Sequence, residues 1–84
     1  MNLEQLRAFV AVAEEKNYTR AGERLYMSHS TMSRAVSSLE REFGVSLILR
    51  GNQVAGVTPE GEKLYAMAKR LLDLTDEIDR EMKN

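Results

Sequence analysis

The 84-residue chain has no cysteine, no tryptophan, a single histidine and a single proline. Without cysteine it has neither a disulfide to staple a small fold nor a thiolate metal site. One histidine leaves most metal-ligand sets a member short and gives a catalytic triad no support. No stretch approaches the roughly 18 consecutive apolar residues of a membrane span. The opening MNLEQL also lacks the charged-then-apolar order of a secretory leader. These absences predict a cytoplasmic protein with no cofactor and no metal, built on one modest apolar core.

A large charge excess is missing too. The formal net charge of −1 does not advertise a nucleic-acid binder. Its distribution is uneven, however. Positions 17–57 carry five arginines (Arg20, Arg24, Arg34, Arg41, Arg50) against three acids (Glu23, Glu40, Glu42), whereas from Thr58 onward five basic residues meet seven acidic ones. A mild basic bias therefore sits in the middle of the chain.

That middle holds the organising stretch, YMSHSTMSRAVSSLEREFG from Tyr26 to Gly44. Ser28 is placed to cap a helix, its hydroxyl accepting a backbone N–H two or three residues on. Met32, Val36, Leu39 and Phe43 then recur at the spacing of one helix face. Ser30, Ser33, Arg34, Ser37 and Arg41 gather opposite them, with His29 in the first turn. Long Glu and Lys side chains are the ordinary dress of a solvent face. Short serines with arginine instead suit close approach, as when a helix enters a DNA major groove.

Before this stretch, Asn2 and Gln5 predict a capping box. Leu3, Leu6, Phe9, Val10 and Ala13 form the apolar stripe of a helix ending near Lys16. Asn17 caps a second, shorter helix through Leu25, with Tyr18, Ala21 and Leu25 turned inward. Gly22 is a poor helix former, costing about 1 kcal/mol relative to alanine, but permits a close approach. The few residues between Leu25 and Ser28 join two helices into a helix-turn-helix.

After it, Gly44 ends the third helix in a left-handed cap. Val45 to Arg50 is β-type; Gly51 and Asn52 supply a turn, and Gln53 to Val57 returns as the second strand. Such a hairpin directly after a helix-turn-helix is a wing. Thr58 and Pro59 open a last helix that runs about 25 residues, with Leu64, Met67, Leu71, Leu74 and Ile78 at alternating spacings of three and four, a heptad seam. Leu72, Met82 and Ala68 broaden it. A rod of about 37 Å outruns so small a globule, so its far end is expected to pair with a second copy. The expected architecture is mainly α with a small β-hairpin: a winged helix-turn-helix over 1–58, then a linker and dimerisation helix over 59–84. Val45, Leu47 and Ile48 join the stripes already named as core, whereas Leu49 is ambiguous.

The runs LEQLRAFVAVAEEKNYTRAGERL, MSHSTMSRAVSSLEREFGVSLILR and VTPEGEKLY, in that order, resemble the N-terminal DNA-binding domain of LysR-type transcriptional regulators over about the first 65 positions. The resemblance implies a dimer, joined through the linker helix and tetrameric in some longer proteins, that binds double-stranded DNA at interrupted palindromes. The family's two-lobed effector domain has no counterpart in these residues. The chain is therefore expected to be an excised DNA-binding region, or else a naturally short relative, the first being favoured, and to bind no small-molecule effector.

Carried over by position, the family's base contacts fall on His29, Ser30, Ser33 and Arg34. Arg34 is able to grip guanine O6 and N7 together. Backbone contacts fall on Thr19, Arg20 and Ser28, and in the wing on Arg50 and Gln53. Arg24 and Arg41 either join them or are solvated surface. His29 stands where the family most often has glutamine, which implies an altered, pH-dependent base preference; the plainer reading is a histidine that finishes the first turn. The family often has proline where Ser30 stands, and a basic residue where Gln53 stands, so the wing here is expected to make about one ionic contact fewer. The acids at Glu14, Glu15, Glu40 and Glu42 have no convergent base or nucleophile, so no enzymatic activity is expected. A second reading, favoured by the neutral charge and by Gln53, is a helical protein-interaction or dimerisation module that does not bind DNA.

Overall fold

Each helix begins where its capping chemistry dictates, and the first three end there too. The computed structural model describes residues 1–51 and 54–83, as α1 (Leu3–Glu15), α2 (Tyr18–Leu25), α3 (His29–Phe43), β1 (Ile48–Arg50), β2 (Val54–Val57) and α4 (Pro59–Lys83). Asn2 Oδ1 accepts from the Gln5 amide at 2.7 Å, and Gln5 Oε1 accepts from the Asn2 amide at 3.2 Å, the expected capping box. Lys16, left-handed at φ 55°, closes α1, and the Asn17 side chain starts α2 by accepting from the Arg20 amide. Tyr26, also left-handed, closes α2, and Ser28 starts α3 through the Thr31 amide. Gly44, at φ 67°, ends α3. The Thr58 hydroxyl caps α4 at the Gly61 amide and donates to the Ser46 carbonyl, fastening α4 to the chain ahead of the wing.

The core is laid down by α1, which packs on α2, α3, β2 and α4. Leu6, Phe9 and Val12 meet Ala21 from α2, Met32, Val36 and Leu39 from α3, and Leu47, Ile48, Val54 and Ala68. Burying one such large side chain contributes about 1.5–3 kcal/mol. Two residues expected there lie outside: Leu3 is 41% and Phe43 43% exposed. Leu3 is the first residue of α1 and Phe43 the last of α3, so each sits where the packed helix has run out. Ala13, Leu25 and Val45 are half-buried at the margin, and Leu49 is exposed.

The wing is a two-stranded antiparallel sheet pairing Ile48 with Val57, Leu49 with Gly56 and Arg50 with Val54, with an irregularity between Leu49 and Arg50. Its first strand starts three residues later than the β-type run predicts, because the backbone ahead of it is otherwise engaged. The Glu40 carboxylate accepts the amides of Leu47 (2.8 Å) and Ile48 (3.3 Å), and the Leu47 carbonyl accepts the Thr58 amide. The expected turn at Asn52 and the expected contact at Gln53 lie outside the described residues.

Helix α4 lies against the head with its first half only. Gly61 is buried so closely on the Leu47 carbonyl that a Cβ would collide with it, and Ala68 is 1% exposed. Ala68 and Leu72 therefore belong to this chain's own core and its border, rather than broadening an outward seam; Leu64 also packs there. Met67, Leu71, Leu74, Ile78 and Met82 remain exposed along the outer side and the far half. The molecule measures 44 × 24 × 18 Å as a result. Among the described residues no helix is long and apolar enough to cross a membrane.

Candidate nucleic-acid interface

Helix α3 is anchored by Met32, Val36 and Leu39, which have no exposed surface. That burial turns the opposite side outward: His29, Ser30, Arg34 and Arg41 are exposed, and Ser33 and Ser37 are half-buried beside them. Apart from His29, every side chain on this face is a serine or an arginine, so the backbone of α3 is open to close approach.

The first turn of α3 meets the start of α2 and the turn end of the wing. The His29 ring stacks on the Tyr18 ring, centroids 5.3 Å apart, and its Nδ1 lies 3.4 Å from Thr19 Oγ1. The Tyr18 hydroxyl accepts from Arg50 Nη1 at 3.0 Å, and Arg50 Nη2 is paired with Glu40. Burial opposes the Arg50 charge, but Tyr18 and Glu40 outweigh it and hold the guanidinium above its ordinary pKa. Between these elements an open groove of about 320 Å³ is lined by Asn17, Thr19, His29, Arg50, Gly51 and Val54, as well as Tyr18.

Three of the residues singled out in the sequence, Thr19, His29 and Arg50, thus converge on one groove. Ser33 and Arg34 lie about one turn further along α3. The Ser28 hydroxyl is occupied by its cap and by the Thr31 hydroxyl at 2.9 Å. Among the described residues Arg20 and Arg34 have no ion-pair partner. Arg24 is engaged by Glu14 at 2.8 Å and Glu15 at 3.3 Å on α1, and Arg41 reaches Ser38 at 3.5 Å.

Two residues that organise this surface carry no role in the sequence reading. Tyr18 was expected only to face inward, yet it joins His29 to Arg50. Glu40 lies within the quoted run and, seven to ten residues before its partners, ties α3 to β1 and Arg50. Its only visible signal is an acid directly after the buried Leu39.

Residues 3–62 match the sequence model of the bacterial regulatory helix-turn-helix proteins of the lysR family. The HTH-type transcriptional regulator BenM of Acinetobacter baylyi is 40% identical over 78 residues, which cover 93% of this chain and 26% of BenM. The fold is similar to that in the crystal structure of a complex of the BenM DBD with catB site 1 DNA, at a TM-score of 0.92 and 38% identity over 99% of this chain and 92% of that one. It is likewise similar to the CbnR DBD in complex with DNA, at a TM-score of 0.89 and 31% identity over 99% and 95% of the two chains. The chain spans about a quarter of the length of the curated relatives it matches.

Proposed function

Since the chain belongs to the lysR family of bacterial regulatory helix-turn-helix proteins, we propose that it is the DNA-binding part of a cytoplasmic transcription regulator and reads double-stranded DNA as a dimer. The observation that carries this reading is the short-side-chain face of α3, held outward by three fully buried residues beneath it. His29, Ser30, Ser33 and Arg34 contact base edges in the major groove, with Arg34 bidentate to guanine. Thr19, Arg20, Ser28 and Arg50 contact the phosphate backbone and so fix the register. Gln53, without a charge, adds no ionic contact.

The exposed seam Met67, Leu71, Leu74 and Ile78 joins two copies, with Leu64 at its inner end. Two recognition helices then enter major grooves about one helical turn, or a multiple of it, apart, which gives an interrupted palindrome. A single module of this size makes too few contacts for useful discrimination, and pairing supplies the rest. In a longer protein the dimers assemble further into tetramers, and this chain itself binds no small-molecule effector. The competing reading, an interaction module without DNA binding, is not favoured, because solved neighbours of this fold are complexes with DNA.

Selection of bound sequences from a random duplex library tests the function. A palindromic pair of half-sites is expected, with specificity lost at one position of each half-site in Arg34→Ala. No enrichment, or a co-crystal with Ser33 and Arg34 remote from the bases, overturns it.

A further inference from the structure

Glu14 of α1 is held by two other helices at once. Its Oε1 lies 2.8 Å from Arg24 Nη1 on α2, and its Oε2 accepts from the Tyr65 hydroxyl and lies 3.6 Å from Lys69 Nζ, both on α4. Arg24 is braced from behind by Glu15 at 3.3 Å. No other polar side-chain contact among the described residues links α4 to the helix-turn-helix. Apolar packing fixes α4 along its first half only, through Gly61 on the Leu47 carbonyl, the small Ala68 on the core, and Leu64 and Leu72 at its border. Beyond Ala68, α4 leaves the head over a cleft of about 150 Å³ that opens between Val10 and Leu25 on one side and Leu72 and Asp76 on the other.

We propose that Glu14, gripped by Arg24, Tyr65 and Lys69, is the positioning residue that fixes the direction of α4 relative to the recognition helix and so selects the half-site spacing that the dimer reads. The spacing part rests on the DNA-binding reading above. The lever is long: Lys69 to Lys83 spans about 21 Å of helix, so a swing of about 10° there moves the tip by about 4 Å, a little more than one base-pair step of about 3.4 Å. Two heads mounted on paired α4 helices keep one separation only if that angle is held.

The absence of native cysteine allows clean labelling at the exposed positions Glu4 and Arg80. Nitroxides on Glu4→Cys and Arg80→Cys, diluted with unlabelled chain, report the distance from head to far end by pulsed electron resonance. A single narrow distance is expected with Glu14 present, and a broadened one in Glu14→Gln and in Tyr65→Phe, with helical circular dichroism retained. In random-library selection the same variants are expected to return the same half-site with spacings spread by at least one base pair to either side. Unchanged distances and an unchanged spacing in both folded variants overturn the positioning role and leave DNA binding standing. If the wild-type chain enriches no duplex, the DNA-binding reading falls and takes the spacing claim with it, whatever the distances do.

Discussion

The imidazole of His29 lies over the phenol ring of Tyr18, with planes 26° from parallel, at the point where the recognition helix meets the wing. One imidazole edge offers a base a single donor or acceptor, whereas a glutamine amide offers both. His29→Gln is therefore expected to shift base preference at one position of each half-site. Selection of bound duplexes with both proteins checks it, and identical sequence preferences would assign His29 to the helix end alone.

Glu40 accepts two backbone amides and pairs with Arg50, although only about 15% of its side chain is exposed. Glu40→Gln keeps the shape but weakens charged hydrogen bonds worth about 1.5–3 kcal/mol each relative to neutral ones of about 1. A loss of stability of about 1–3 kcal/mol is expected in denaturant unfolding. Hydrogen exchange should quicken at Leu47 and Ile48 ahead of the rest of the core.

Gly22 and Gly44 separate two uses of glycine. A Cβ at Gly22 would collide with the Met27 carbonyl in the turn between α2 and α3, whereas at Gly44 it would meet nothing within 4 Å. Gly44→Ala is thus expected to cost only the left-handed backbone strain of about 1–2 kcal/mol. Gly22→Ala must shift backbone, at about 1–3 kcal/mol or more, and is expected to weaken DNA binding as well, because the turn it displaces sets the start of α3. Comparison of the two variants by thermal unfolding and by duplex binding checks the difference.

This pair also shows what was legible in the chain. Caps are local, so Asn2, Asn17, Ser28 and Thr58 disclose where each helix starts, and Gly44 where α3 ends. The stripe Met32, Val36 and Leu39 likewise discloses which face of α3 is outward. Gly22 reads as room for a neighbouring helix, but the neighbour is the turn's own carbonyl, which periodicity cannot reveal. Tyr18, Glu40 and Glu14 stayed hidden for the same reason. Their partners lie 7 to 51 residues away, and each pairing exists only once helices are packed. Ala68 was misassigned because it lies close to the seam in the heptad pattern, and only packing tells a residue facing its own core from one facing a partner.

The seam itself is open to test. Leu71 and Ile78 are 39% and 52% exposed, on the part of α4 that leaves the head. Leu71→Glu with Ile78→Glu is expected to yield a monomer in sedimentation, to weaken palindrome binding at least tenfold, and to leave the thermal transition of the head within a few degrees. A dimer that survives both changes moves the interface elsewhere.

The Glu14 cluster makes a prediction in pH whose sign is fixed. Burial raises the Glu14 pKa, but hydrogen bonds from Tyr65 and Arg24 and the charges of Arg24 and Lys69 outweigh it and hold the carboxylate below its ordinary 4.5. A carboxylate depressed in the fold stabilises it above the unfolded value, and that contribution drains away as pH falls through the folded one. Tyr65 is its mirror: the hydrogen bond to Glu14 raises the phenol above its ordinary 10.0, so its share is present at neutral pH and is lost as pH climbs through the raised value. The gap in melting temperature between wild type and Glu14→Gln should therefore be widest between about pH 5 and pH 9 and shrink as pH falls below the ordinary carboxylate value of 4.5. The charges are partly solvated, so the gap should correspond to about 1 kcal/mol or less, a shift of no more than about 4–8 °C for a domain of this size. Calorimetry at about pH 2.5, 5, 7 and 9 decides the matter: a gap that stays constant into acid would mean that Glu14 acts by shape and not by charge.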